Sequence, residues 1–278
     1  MTITDTSRRE RISCLSCSAI VDAVGSLYRH PAHIVDLVSP TPGAAVFGPA
    51  ITIQFFPARD DYRHSADNDF AAQFYRALMG APPQAVVVMS NGGHPDAALA
   101  GGRKLARLHY QDIAGLVTDG RLRDFDEIAG YSFTAYARGE QVRQSGDRVV
   151  PVAANVPVEV AGVGVYPGDY VYATPAGTVV VPRTDIDAVL AAAEQREARD
   201  AELVRLAATE DRETVSRSGE QLGRPPEQDE PAAWTHAAMW QRGRRRRIRA
   251  HFLGNAPRGA GAAHARAHGG PTRYRAPR

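Results

Sequence analysis

Three charged residues follow a short apolar run and a turn near the middle of the chain. Leu116-Val117 has the length and character of a buried strand, and Asp119-Gly120 is a turn dipeptide because Gly accepts a positive φ at no steric cost. The turn leads directly to Arg121, Arg123 and Asp124. A guanidinium beside a carboxylate can be a surface ion pair. It can also be a site in which Asp124 binds a divalent cation and Arg123 binds a substrate carboxylate in a planar fork.

A second group of residues suited to anion binding lies upstream of this turn. The pattern predicts a helix over 96–110, yet it contains Gly101-Gly102, and each Gly in a helix interior costs about 1 kcal/mol. Two adjacent glycines indicate either the close approach of a ligand or another backbone, or a plain break in the helix. Arg103 and Lys104 follow. Lys104 is the only Lys in the chain, and its position beside the glycines favours contact with an anion over Schiff-base chemistry.

The surrounding pattern mixes helices with short strands. Apolar spacing predicts helices over 13–28, 70–79 and 184–208, the last with an apolar side of Ile186, Val189, Leu190, Leu203 and Leu206. Residues 35–49 have the composition of a loop. Besides the run at 116–117, strands are predicted over 50–56, 85–89, 133–136, 149–152, 156–160, 163–166, 170–173 and 178–181. Close spacing of the later strands favours an α+β or layered α/β architecture.

Composition restricts the class of protein. No apolar run reaches the 18 or more residues of a membrane span, and the first eleven residues lack the apolar segment of a signal peptide, so we expect a cytoplasmic protein without membrane contact. The only cysteines, Cys14 and Cys17, lie within the predicted helix 13–28. With no second cysteine pair to complete a zinc site, we interpret them as ordinary thiols.

Charge divides the chain into two parts. From Pro231 onward there are eleven Arg and no Asp, Glu or Lys, so the net charge of +2 combines a tail of +11 with a body of −9. Residues 211–231 have the composition of a linker, and residues 232–278 that of a basic, mostly disordered tail with one possible helix. Such a tail could bind nucleic acid through phosphate contacts, but without a recognisable module we expect a solvated appendage.

Several segments taken together resemble the RraA-like family, which includes 4-hydroxy-4-methyl-2-oxoglutarate/4-carboxy-4-hydroxy-2-oxoadipate aldolases. The most specific is Asp119-Gly120-Arg121-Leu122-Arg123-Asp124. The others, in order along roughly 13–205, are Val21-Asp22-Ala23-Val24-Gly25, Gly48-Pro49-Ala50, Asn155-Val156-Pro157-Val158, Val165-Tyr166-Pro167-Gly168-Asp169 and Gly177-Thr178-Val179-Val180-Val181-Pro182. Residues 1–210 would form the family domain.

This resemblance implies a layered α/β sandwich of the swivelling phosphohistidine-domain type, assembled as a homotrimer or homohexamer. It implies a class II aldolase or decarboxylase that uses Mg²⁺ or Mn²⁺ on a small 2-oxo acid and passes through a pyruvate enolate. Asp124 would be the metal ligand and Arg123 the substrate-binding cation. Gly101, Gly102, Arg103 and Lys104 would lie against the pyruvyl carboxylate.

One position departs from the family pattern. Aldolases of the family often carry an acidic residue where this chain has Gly102, which leaves the proton-carrying group and the substrate open. A second acid is expected from the last helix of a neighbouring subunit, with candidates Glu197, Asp200 and Glu202. His94 is either an acid or base or a solvated loop residue. Two alternatives to the lyase stay open: a divergent biosynthetic enzyme for an unusual acid, and a non-catalytic regulator of an RNase E-type ribonuclease, which in this family lacks the Asp of the Arg-Asp pair.

Overall fold

A computed structural model describes residues 4–61, 68–144 and 146–212 of the 278-residue chain. Nearly all of these belong to one compact unit, Met1–Glu210. The predicted tail, and all of the predicted linker except residues 211 and 212, lie outside the described residues. No helix in the described part is long and apolar enough to cross a membrane.

Six helices and twelve strands make up this unit within the described ranges. The helices are α1 (Asp5–Ile12), α2 (Cys17–Leu27), α3 (Phe70–Leu78), α4 (Gly102–Tyr110), α5 (Phe125–Ile128) and α6 (Ile186–Ala207). The strands are β1 (His33–Ile34), β2 (Val46–Pro57), β3 (Val86–Met89), β4 (Ala98–Ala100), β5 (Gly115–Thr118), β6 (Arg121–Leu122), β7 (Thr134–Tyr136), β8 (Val149–Ala154), β9 (Val158–Val160), β10 (Val163–Val165), β11 (Tyr170–Thr174) and β12 (Gly177–Val181).

One mixed sheet forms the centre of the fold. Its strand order is β1-β12-β11-β2-β3-β5-β7, and β8 pairs with the far end of β2, with a register shift at Gln54/Phe55. The pairs β2/β3, β3/β5 and β5/β7 are parallel, whereas β1/β12, β12/β11 and β11/β2 are antiparallel. Two small pairs, β9/β10 and β4/β6, lie outside this sheet.

Both faces of the sheet are covered, as the alternation along its strands requires. In β3, Val87 and Met89 pack into a core with α3 and α4, while Val86 and Val88 pack against the β9/β10 hairpin. At the other end of the sheet, β11 and β12 pack against α1, α2 and α6. Helices on one face and a hairpin on the other make a layered α/β sandwich, so the predicted fold class is confirmed.

Two predicted elements away from the site were wrong in their bounds. The helix predicted over 13–28 begins only at Cys17, because the Ser16 hydroxyl accepts a hydrogen bond from the Ala19 N–H and caps α2 there. Cys14 therefore lies between helices and is exposed, while Cys17 begins α2 and is buried. The predicted loop 35–49 also contains the first residues of β2, where Val46 and Phe47 are buried in pairing with β11.

The apolar side predicted for the last helix is correct only in its first half. Ile186, Val189 and Leu190 are fully buried against the helical layer. Leu203 and Leu206 were predicted to share that side, but they are 57% and 45% exposed in the single chain. The second half of α6 thus offers apolar surface that the described residues leave exposed.

Helix α4 is held in the core by Leu105 and Leu108, which are both fully buried. Leu105→Ala should lower the free energy of unfolding by about 2–5 kcal/mol because it leaves a cavity under the helix. Urea denaturation at a fixed protein concentration measures this, with Tyr110→Ala on the same helix as the control, since Tyr110 is 77% exposed. Equal losses in the two variants would contradict the packing described.

Candidate active site

The short parallel pair β4/β6 brings the two predicted groups of site residues together. In its register Ala98 pairs with Arg121 and Ala100 with Leu122, and the Arg123 N–H donates to the Ala100 carbonyl at 3.0 Å. The residues just after each strand therefore lie side by side. These are Gly101-Gly102 and Arg123-Asp124. The prediction of a helix over 96–110 was wrong because residues 98–100 form β4, and α4 begins only at Gly102.

Asp124 is fixed at the end of β6 by its backbone and by one carboxylate oxygen. Its φ of 63° and ψ of 49° are left-handed, a conformation that Asp tolerates better than most residues. Its Oδ2 accepts the Gly102 N–H at 3.0 Å, at the N-terminus of α4. The side chain is exposed, so the carboxylate faces open space while its position is set by the opening of that helix.

The glycines have a spatial explanation. A Cβ on Gly101 would lie 2.6 Å from Asp124 Oδ2 and 3.0 Å from Arg123 Cβ, and one on Gly102 would overlap the Glu127 carboxylate. The groups that approach the glycines are side chains of the facing segment, and not the ligand or backbone that was predicted. The glycines also stand at a helix start, where they carry none of the cost of a helix interior.

Gly101→Ala should weaken Mn²⁺ binding roughly tenfold to a hundredfold if Asp124 is the metal ligand, because the new methyl group displaces its carboxylate. Titration calorimetry of the apo protein with Mn²⁺ measures this. Gly25→Ala in α2 is the matched control, since a Cβ there meets nothing within 4 Å. Unchanged affinity in Gly101→Ala would show that Asp124 can move freely or does not bind the metal.

A small cavity of about 90 Å³ opens at this point. It is lined by Ala98, Leu99, Ala100, Gly101, Arg103, Lys104, Arg123, Asp124 and Gln144. Three cationic side chains thus share it with one carboxylate. A larger cavity of about 420 Å³ continues past Arg123 and Asp124 and is otherwise lined by Glu140, Gln141 and Val142. The arrangement suits a small anion that contacts Arg123, with Asp124 beside it.

Arg123, which lines this cavity, has an unused hydrogen-bond donor. Its Nε is buried and has no hydrogen-bond partner among the described residues. An unpaired buried donor on a charged group is costly, so the position is suited to an anionic ligand that completes the guanidinium's hydrogen bonds. Lys104 adds charge nearby. Its ammonium lies 5.8 Å from the centroid of the Phe70 ring, and desolvation there lowers the pKa of Lys104.

Some predicted residues lie elsewhere. Gly102 is buried and is not among the residues that line the small cavity, although its N–H donates to Asp124 at the cavity's edge. His94 lines neither cavity beside Asp124, and its backbone closes a turn with Asn91. On α6, Glu197 accepts the Ser16 N–H and Glu202 pairs with Arg205. Neither these two nor Asp200 lines the cavities within one chain, so a role from a neighbouring subunit stays a prediction.

Sequence reasoning missed three acidic residues around the site. Glu127 lies on α5, three residues after Asp124. This spacing, about one helical turn, was the signal in the sequence that could have placed it near Asp124. Glu140 accepts the Phe125 N–H at 3.0 Å and so fixes the start of α5. The carboxylate of Asp119, treated only as a turn residue, is buried and accepts N–H groups from Asn91 and Ala161, which joins the neighbouring loop to the β9/β10 hairpin.

The donor set fits a hard divalent cation. In the described part of the chain no three His, Cys, Asp or Glu side chains converge on one point, so a tightly caged transition-metal site is not formed there. Mg²⁺ keeps several waters and uses one or two carboxylates. Asp124, exposed and with only Oδ2 held by the described residues, would suit this role.

The chain belongs to the RraA-like family described as Aldolase/RraA, whose profile matches residues 17–180. It is 30% identical over 155 residues to a protein of Halalkalibacterium halodurans named "Putative 4-hydroxy-4-methyl-2-oxoglutarate aldolase", covering 56% of this chain and 68% of that one. It is 26% identical over 150 residues to Protein DlpA of Legionella pneumophila, where the match takes in 53% of this chain and only 23% of DlpA.

A solved structure supports the same placement. RraAS2 of Streptomyces coelicolor, described as an unusual member of the RNase ES inhibitor RraA protein family, superposes with a TM-score of 0.62 at 25% identity. The superposition covers 71% of this chain and 96% of that one. The mixed sheet with its covering helices is therefore the fold of RraA-like proteins.

Proposed function

We propose that the chain is a divalent-metal-dependent lyase that cleaves a small 2-oxo acid by retro-aldol reaction or decarboxylates it. The observation that carries this is the unpaired, buried Nε of Arg123 beside the exposed carboxylate of Asp124 in a small cationic cavity. A 2-oxo acid offers the matching chemistry, with a carboxylate for the cations and adjacent oxygens for a metal.

Each residue of the site would have its own role in this reaction. Asp124 would hold Mg²⁺ or Mn²⁺, which when bound supplies Lewis-acid stabilisation of negative charge on the 2-oxo group. Arg123 would bind the substrate carboxylate or keto oxygen and stabilise the enolate that forms when the carbon–carbon bond breaks. Arg103 and Lys104, at the start of α4, would attract the anionic substrate. The small cavity favours a pyruvate-sized fragment, with the departing group in the larger space beside Glu140 and Gln141.

The family supports this reaction class, since a relative 30% identical carries an aldolase name. This chain has Gly102 where aldolases of the family often have an acidic residue. That difference also allows a divergent biosynthetic enzyme whose substrate is an unusual acid. A ring of three or six chains would bring α6 of a neighbour to the site, and the exposed Leu203, Val204 and Leu206 offer apolar surface for such contacts.

A regulator of RNase E-type activity is the second candidate, and it is favoured by the likeness to RraAS2. The intact Arg123-Asp124 pair weighs against it, because a regulator needs neither a metal ligand nor an arginine with an unpaired Nε beside a cavity.

The test is pyruvate release from oxaloacetate and a panel of 4-hydroxy-2-oxo acids, each with Mg²⁺, Mn²⁺ or chelator. We expect metal-dependent turnover of at least one of them. A folded protein that releases no pyruvate from any, but inhibits an RNase E-type enzyme, would replace the lyase with the regulator. Turnover confined to an acid outside this panel would favour the divergent enzyme.

A further inference from the structure

The carboxylate of Glu127 occupies the space that a side chain at position 102 would fill. A Cβ on Gly102 would lie 1.9 Å from Glu127 Oε2, 2.2 Å from its Cδ and 2.8 Å from Oε1. The carboxylate thus packs directly on the Gly102 backbone at the first turn of α4. A second carboxylate contacts the same residue, because Asp124 Oδ2 accepts the Gly102 N–H at 3.0 Å. Two carboxylates from one short segment therefore border the same glycine.

Tyr131 fixes the Glu127 carboxylate in this place. The Tyr131 hydroxyl donates to Glu127 Oε1 at 2.6 Å and also lies 3.1 Å from the Gly102 carbonyl oxygen. The hydrogen bond to Glu127 raises the pKa of Tyr131 to about 12, so the phenol stays a donor at neutral pH. Oε2, the oxygen nearest Gly102, has no hydrogen-bond partner among the described residues. One oxygen is thus anchored by Tyr131, and the other, nearest Gly102, is not engaged by a hydrogen bond from the described residues.

We propose that Glu127 is the acid–base group of the site, delivered from α5 into the space left by the missing side chain of residue 102. This rests on the proposed lyase function. In retro-aldol cleavage Glu127 takes the proton of the substrate's 4-hydroxyl group, and the C3–C4 bond breaks. Its electron pair becomes the pyruvate enolate, and the C4 hydroxyl becomes a carbonyl. Glu127 then gives the same proton to C3, which forms the pyruvate methyl group and restores the carboxylate.

The Glu127 carboxylate can occupy this position only because residue 102 is a glycine. Any larger residue would collide with the Glu127 carboxylate as it stands. An acidic side chain grown from position 102 would enter the same space from the other side. The two positions are therefore alternatives for one carboxylate, and the structure predicts that the carboxylate can be moved between them.

The experiment compares wild type, Glu127→Gln, Glu127→Ala and the double variant Gly102→Asp/Glu127→Ala, with Asp126→Asn as the matched control on α5. Three quantities are measured with Mn²⁺: pyruvate release from a cleaved 4-hydroxy-2-oxo acid, exchange of the pyruvate methyl protons with deuterium from solvent, and Mn²⁺ affinity by calorimetry. Thermal melts verify that each variant is folded.

We expect Glu127→Gln and Glu127→Ala to lose about a hundredfold in both cleavage and methyl exchange, as for loss of a general acid–base group, with Mn²⁺ affinity unchanged. The double variant should recover at least tenfold over Glu127→Ala. Full exchange in Glu127→Gln, or equal loss of Mn²⁺ affinity and exchange, would overturn the proposal while leaving the lyase intact. A wild type that neither cleaves nor exchanges would overturn the lyase and this role together.

Discussion

Asp124→Asn is expected to abolish metal-dependent turnover, with a fall in kcat/KM of about a thousandfold or more. The amide keeps the size of the side chain and tolerates the left-handed backbone at this position, so the fold should survive. What is lost is the negative charge that would hold the cation. A bound cation stabilises the transition state by several kcal/mol, and losing that stabilisation lowers kcat/KM by about this factor.

Two measurements give this prediction its controls. Mn²⁺ affinity should fall together with turnover, and the melting temperature without metal should stay close to that of the wild type. Asp126→Asn removes the same charge two residues later in the chain. Asp126 lines neither cavity, so this variant should behave as wild type. Turnover by Asp124→Asn within threefold of wild type would show that the metal binds elsewhere.

Arg123→Lys is expected to lower kcat/KM about a hundredfold even though the positive charge is retained. The guanidinium offers a planar fork and a buried Nε without a partner in the described part of the chain, whereas a Lys ammonium is a point charge. Bidentate binding of a carboxylate or developing enolate depends on that fork. Steady-state kinetics with saturating metal measure the loss.

The comparison for this variant is Arg143→Lys, which makes the same change at an exposed residue paired with Asp147. Mn²⁺ affinity should be unchanged in both, because neither alters Asp124. If Arg143→Lys lowers kcat/KM as much as Arg123→Lys does, or if the effect of Arg123→Lys disappears at saturating metal, Arg123 does not bind the substrate.

The residues that carry strong local patterns were predictable from the sequence. Strand β3, helix α3 and the run of short strands from 149 to 181 have apolar periods and Gly/Pro turns that the tertiary structure does not override. The turn that ends in Arg123-Asp124 was recognisable for the same reason, since a short apolar run followed by Asp-Gly is a local signal.

What the sequence did not reveal depends on contacts between distant residues. The pairing of β4 with β6 splits the predicted helix at Gly101, and three residues of strand are too few to show a period. The packing of Glu127 on Gly102 joins residues that only this pairing brings together. The exposed Leu203 and Leu206 follow a helical apolar pattern, but a pattern cannot tell whether its partner is the same chain or another.

The most direct test of the central proposal is pyruvate release from oxaloacetate and 4-hydroxy-2-oxo acids by chelator-treated protein before and after Mn²⁺ is restored, with wild type and Asp124→Asn side by side. The proposed lyase predicts no release before the metal, release after it by wild type, and none by the variant. Release that is independent of Mn²⁺, or equal in the two proteins, would contradict a metal-dependent lyase at Arg123 and Asp124.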